Sequence, residues 1–160
     1  MEAALVLKER GMTPVIYEAA DHLGGQFITA GRAPGKEEMG ASAFDMAKRV
    51  ERDGIEVHLN SKIDETFEYS FFDEVIVSLG ASPITMGLSI SNAHEVLNGE
   101  KEVIPCDNVV VAIGAKANDS SAIQAKCEEL GKPVHVIGDA VRARRAMNSI
   151  HEGFDIARKI

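Results

Sequence analysis

Basic residues, cysteines and long apolar runs are all scarce in this chain, and each scarcity removes a class of function. The 160 residues carry 17 Lys and Arg against 25 Asp and Glu, a formal net charge of −8. Such a balance argues against nucleic acid or an anionic membrane surface as partner, since either would need a positive face. The cluster Arg142, Arg144, Arg145 is too small to reverse this, and it reads equally well as a solvated helix start or as a ligand group. The two cysteines, Cys106 and Cys127, form no C-x-x-C pair, which argues against a zinc site and a redox dithiol. Both are read as ordinary thiols of a reducing compartment. No apolar run is long enough to span a bilayer. The opening MEAALVLKERG has neither the basic flank nor the apolar core and cleavage site of a secretory signal. A cytoplasmic location is therefore expected.

What is present is an ordinary globular composition, 45% hydrophobic and 26% charged, in a length that suits one domain. Strong helix formers run from Glu2 to Arg10, with Ala4, Leu5 and Leu7 apolar, and Gly11 is placed to end them. TPVIYE, residues 13–18, follows as a short buried strand, then a turn centred on Gly24 and Gly25. A helix is expected between Pro34 and Gly54, with Met39, Phe44, Met46, Ala47 and Val50 as its buried positions. Ile55–Asn60 alternates as a strand does, and Glu74–Leu79 is a buried strand ending at Gly80. Residues 84–99 read as loop. Asp107 to Ile113 repeats the strand-then-glycine idea, ending at Gly114; a helix over 121–130, a strand at 134–137 and a helix over 145–159 complete the chain. Strands alternating with helices, and continuous Val/Ile runs, predict an α/β fold with a mostly parallel sheet.

Two strand ends carry chemistry. In a dinucleotide-binding βαβ unit, a carboxylate closing the second strand accepts hydrogen bonds from ribose hydroxyls, and Glu18 stands in that place. The alternative is a solvated strand end. Gly138 and Asp139 close the last strand: glycine permits close backbone approach, and the aspartate can accept from a hydroxyl. The following helix start offers free N–H groups to phosphate, and Arg145 adds positive charge there. The alternative is a Gly-Asp turn at a helix N-cap. His58, His94, His135 and His151 show no partner spacing and read as structural or exposed, so no catalytic residue and no metal site is assigned.

The segments VIYEAADHLGGQF, APGKEEM, FDEVIVSLGASP, CDNVVVAIGAKAN and VHVIGDAVRARRAMNSIHEGFDIA occur in one order. Together they resemble the C-terminal FAD/NAD(P)-binding portion of the NADH:flavin oxidoreductases of the 2,4-dienoyl-CoA reductase, 2-enoate reductase and trimethylamine dehydrogenase group. The resemblance covers nearly the whole chain, and LGGQF followed by PGKEE is its most particular part. It implies a Rossmann-like fold and FAD as cofactor, with Glu18 at the adenosine ribose and Gly25 and Gln26 in the turn beside the dinucleotide. Ile63 falls where the backbone meets the adenine, and Gly80 and Gly114 match the glycines of two strand ends. Gly138 and Asp139 match the pair at the ribityl chain, and Arg145 heads the final helix. In such enzymes FAD takes electrons from NAD(P)H and passes them through an iron–sulfur cluster to FMN in a barrel domain, the expected partner here. Some relatives carry ADP instead of FAD.

The chain departs from that pattern in three ways. The first strand and its Gly-rich phosphate loop, the inserted nicotinamide-binding domain, and the barrel with its cluster cysteines are all missing. One FAD-binding-type domain is therefore expected over 1–160. Its first half spans 1–93, a junction at 94–105 stands where the nicotinamide domain would be inserted, and its second half spans 106–160. Function is expected to be that of a truncated, flavin-binding electron-transfer domain with no complete active site of its own. The alternative is a cofactor-free α/β domain acting through self-association, by strand exchange in a homodimer, or through a partner.

Overall fold

A computed structural model describes residues 1–84 and 112–160. Helix α1 (Glu2–Glu9) turns at Gly11 into strand β1 (Val15–Tyr17). Gly11 has φ +87°, a left-handed conformation that glycine adopts without the clash a Cβ would bring. A short helix α2 (Gln26–Ala30) follows the Gly24-Gly25 turn and was not anticipated from the sequence. Helix α3 (Glu37–Arg52) begins with Glu37 and Glu38 and ends with Arg49 and Arg52, charges that complement its dipole. It leads into strand β2 (Glu56–His58), which pairs in parallel with β1, Ile16 opposite Val57 and Tyr17 opposite His58.

Strand β3 (Val75–Val77) pairs in parallel with β6 (Val134–Val136), and β4 (Ala81–Pro83) pairs antiparallel with β5 (Ala115–Ala117). Helix α4 (Ser121–Glu129) precedes β6, and helix α5 (Ala146–Lys159) closes the chain. A side-chain contact also ties β6 to β3, since a ring nitrogen of His135 lies 2.7 Å from the Glu74 carboxylate.

The buried residues fall into two core clusters. Ile16 and Val57 pack with Ala4 and Leu5 of α1 and Val50 of α3 in one. In the other, Val75, Val77, Val134 and Val136 pack with Ile123 and Cys127 of α4 and with Tyr69. Cys127 is fully buried there, in keeping with an inert structural thiol. The apolar positions of these strands supply the core clusters, while the strands themselves are mostly half-buried, and β2 and β6 interrupt their apolar residues with Glu56, His58 and His135.

Two expectations need correction. The α/β class and the parallel pairing are observed, but the described strands do not form one continuous sheet: β1–β2 and β3–β6 are separate parallel pairs. They are joined across their faces instead. On one side α1 packs against α5. On the other, the Tyr17 ring meets Phe67 at 4.9 Å, and Phe67 in turn meets Tyr69 at 5.1 Å. The second correction concerns α3, where Phe44 is 59% exposed and Ala43, at 1%, is the buried residue. The reason lies in α2, which approaches α3 so closely that a Cβ on Gly31 would fall 2.5 Å from the Gly40 nitrogen. Beside such a backbone contact only a small side chain fits. Phe44 points outward, where the Lys48 ammonium lies 4.3 Å from its ring centroid.

The junction at 94–105, Cys106, His94, all but the first residue of the 84–99 loop and the strand expected over 107–113 as far as residue 111 lie outside the described residues. Ala112 and Ile113 are described and are not in a strand, Ile113 being exposed and β5 beginning only after Gly114.

Candidate functional site

The geometry of the helices decides whether the two chemistry-bearing strand ends share a rim. Gly153 of α5 lies against Ala3 and Glu2 at the start of α1, and the Arg10 guanidinium just beyond α1 donates to the Ala157 carbonyl. The two helices therefore run in the same direction. Strand β1 returns antiparallel to α1, and β6 runs antiparallel to the α5 that follows it. Hence β1 and β6 point the same way, and Glu18 and Asp139 lie at the same, C-terminal rim, with the N-termini of α1 and α5 beside them. In open α/β sheets this is the rim at which ligands bind.

Glu18 is held by backbone pairing that continues past the strands. Its N–H donates to the His58 carbonyl at 2.9 Å, and its carbonyl accepts from Ser61 at 2.8 Å. One carboxylate oxygen accepts the Ala20 N–H at 2.9 Å. The Met1 α-amine at the head of α1 is near enough for Glu18 and Glu2 to favour its charge; burial, the larger effect, pushes it below its usual value.

Gly25 (φ +50°) caps the start of α2. Gln26 spends its side-chain amide on the Ala81 carbonyl at 2.6 Å, which brings the Gly24-Gly25 turn and Gly80 together. Gly80 and Gly114, at φ +72° and +105°, bracket the β4–β5 pair, with Gly80 accepting from Asn118 and Gly114 from Ile84. Ile63 is half-buried against the Tyr69 cluster, so its side chain serves the core and only its backbone is left for the rim.

At the other end, Gly138–Ala140 forms a single 3-10 turn, with Gly138 at φ +65° and buried. Asp139 accepts the Arg144 N–H at 3.1 Å and the Ser149 hydroxyl at 3.5 Å, both on Oδ1. Arg145 is the N-cap residue of α5 in extended conformation, its side chain exposed. The arginine that is engaged is Arg144, whose guanidinium pairs with Glu152. Glu152 also accepts the Gly138 N–H at 2.7 Å, and these donors hold its carboxyl below the usual range although desolvation opposes them. Arg144 belonged to the arginine cluster noted in the sequence, without this partner, and Ser149 and Glu152 were not anticipated; the one trace of them in sequence is that they lie three apart, on one helical face.

Two surface hollows occur among the described residues, and neither is lined by Glu18 or Asp139. One of ≈ 480 Å³ runs between α3 and β2, and one of ≈ 260 Å³ lies between β6 and α5. The chemistry of the rim fits an extended dinucleotide such as FAD. Carboxylates stand at the two outer positions, glycine turns at 25 and 80 leave the backbone approachable, and two helix N-termini complement phosphate. Glu2, in the first turn of α1, and Glu18 beside it are acidic groups there that oppose an anion. No group of three or more metal-ligating side chains occurs among the described residues, and none of their helices is long and apolar enough to cross a membrane.

The molecule is thus a mixed α/β protein with small parallel sheets, and carboxylates stand at the ends of β1 and β6. Its relatives by sequence are oxidoreductases. The chain is 32% identical over 123 residues to an NADH oxidase of Thermoanaerobacter brockii, covering 71% of this chain and 19% of that one. It is 30% identical over 131 residues to a probable N-methylproline demethylase of Rhizobium meliloti (strain 1021), covering 78% and 19%. It therefore spans about a fifth of the length of these curated relatives. Among solved structures, a 2-naphthoyl-CoA reductase in complex with 2-naphthoyl-CoA superposes with a TM-score of 0.81 over 99% of this chain and 38% of that chain, at 16% identity. No family model matches the chain. The chain is accordingly related to a portion of redox enzymes.

Proposed function

We propose that this chain is a Rossmann-like, FAD-binding electron-transfer unit of an NADH:flavin oxidoreductase of the enoate-reductase kind. The observation that carries the reading is the shared rim, with Glu18 and Asp139 at parallel strand ends and the N-termini of α1 and α5 beside them. Glu18 accepts hydrogen bonds from the adenosine ribose, and Asp139 accepts from a ribityl hydroxyl. The first-turn N–H groups of α1 face the phosphates. Gly25 and Gly80 let the backbone approach the ligand, and Arg145 adds positive charge at the head of α5. FAD, when bound, supplies the two-electron to one-electron redox chemistry. This chain's residues bind and orient it, and NAD(P)H and the FMN/iron–sulfur barrel engage parts beyond these 160 residues.

The separation of the sheet into two parallel pairs favours a second reading. Among the described residues β1 and the β3–β6 pair are not hydrogen-bonded to each other, and an added strand between them would pair with both. Self-association by strand exchange would supply one.

Reconstitution with FAD followed by desalting separates these readings. A retained flavin absorbance band in a monomer supports the electron-transfer unit. Retention of ADP alone restricts the rim to its Glu18 end. A colourless dimer by light scattering, with neither ligand retained, overturns the first reading in favour of the second.

A further inference from the structure

We propose that Glu152 is the positioning residue of the flavin-side end of this rim; the assignment rests on the reading of the rim as an FAD site. Gly138 sits at φ +65°, and a Cβ built on it would meet the Ser149 hydroxyl oxygen at 3.1 Å. The turn is therefore pressed against α5 and leaves no room for another side chain. Ile137, in extended conformation, donates into the ladder to the Val77 carbonyl, so by strand alternation the next N–H, that of Gly138, points away from β3, and a buried N–H needs an acceptor. Glu152 is that acceptor, at 2.7 Å through Oε2.

Its other oxygen takes the Arg144 guanidinium, and the Arg144 backbone N–H in turn binds Asp139 Oδ1. One carboxylate, two turns into α5, thereby joins both flanks of the Gly138–Asp139 turn. The bonds to Asp139 among the described residues both fall on Oδ1, so Oδ2 is the oxygen this proposal assigns to the ligand. Without Glu152 the Gly138 N–H is orphaned and Arg144 loses its anchor. The peptide can then rotate, and the Asp139 carboxylate loses its fixed direction. Glu152 touches no ligand in this arrangement; it acts through Gly138 and Arg144.

The test uses Glu152→Asp, Glu152→Ala and Glu152→Gln in the full chain, with FAD and ADP titrated separately by calorimetry and Gly138 amide exchange followed by NMR. Aspartate keeps the charge but is one methylene too short to reach Gly138; glutamine keeps the reach and an acceptor oxygen. The expected result is a loss of FAD affinity of about tenfold or more in the aspartate and alanine variants, the scale of one charge-assisted hydrogen bond. ADP affinity, which depends on the Glu18 end, stays unchanged. Gly138 exchange accelerates in the same two variants and is restored by glutamine. Should the alanine variant not fold, the aspartate–glutamine pair decides alone. Equal losses for FAD and ADP, or no change in Gly138 exchange, overturn the assignment and leave the rim reading standing. A wild-type chain that takes up no FAD overturns both.

Discussion

Gly153 of α5 lies directly against Ala3 of α1, so close that a Cβ on the glycine would stand 3.4 Å from the Ala3 nitrogen. This contact lets the two helices run side by side, and their shared direction puts Glu18 and Asp139 on one rim. Replacing Gly153 with valine forces the helices apart, and overpacking of this kind costs about 1–3 kcal/mol. Gly153→Val is expected to lower the denaturation midpoint without changing its slope. Gly153→Ala should be near neutral, because about 1 kcal/mol of added helix propensity offsets the tight contact. Urea titration of both variants checks the pair.

Core packing of α3 yields a second pair with opposite outcomes. Val50 is wholly buried among Leu5, Ile55 and their neighbours, whereas Phe44 is exposed. Val50→Ala is expected to destabilise by about 2 kcal/mol, through lost burial and an unfilled cavity. Phe44→Ala should change stability by less than about 0.5 kcal/mol, as surface substitutions do. Thermal unfolding of the two variants side by side distinguishes them.

That pair also marks what sequence reasoning could reach. Periodicity located α3 within a few residues of its ends, because Gly54 and the charge pattern punctuate it. It placed Phe44 inside because hydrophobicity favours burying a ring. The true constraint, the Gly31–Gly40 backbone contact, joins residues in two helices, one of which, α2, has too short a pattern to detect. The strand ends at Glu18 and Gly138 were legible because glycine and carboxylate punctuation is local. Glu152 was not, since a glutamate inside a helix carries no mark of the backbone N–H it accepts fourteen residues away. For the same reason Arg145 drew attention on position alone, while the structure engages Arg144. The aromatic bridge of Tyr17, Phe67 and Tyr69 had no local signature either.

Tyr69 makes stability depend on alkaline pH. Its hydroxyl donates to the Asp64 carbonyl at 2.7 Å. Burial first, and then negative charge on Cys127, Asp64 and Glu65, push its pKa from 10.0 up to about 12. The folded chain thus keeps a proton that the unfolded chain releases near its ordinary value. The Tyr69 contribution is fully present below pH 10 and is lost as pH rises from there toward 12. Tyr69→Phe should cost about 1 kcal/mol near neutrality, the net worth of one hydrogen bond. It should also flatten this alkaline limb. Unfolding midpoints at neutral pH and across that alkaline window give both quantities, and an unchanged limb in the variant would assign it to other groups.

Glu2 and Glu18 stand near the same helix end, yet substitution should move ligand binding in opposite directions. In the proposed site Glu18 offers a carboxylate to ribose hydroxyls, and a hydrogen bond involving a charged group contributes about 1.5–3 kcal/mol. Glu18→Ala should therefore weaken ADP and FAD alike, by about tenfold or more. Glu2 complements the dipole of α1, which favours the helix but repels phosphate at the same N–H groups. Removing its charge in Glu2→Gln should strengthen ADP binding by about two- to fivefold at low salt, a gain that shrinks as ionic strength rises. Stability should fall slightly in the same variant, by about 0.3–1 kcal/mol, because the dipole loses its partner. Tighter binding together with lower stability is what charge repulsion at a phosphate position produces. Weaker binding in Glu2→Gln would place the phosphates away from α1 and leave Glu18 without the neighbour that the proposed site requires.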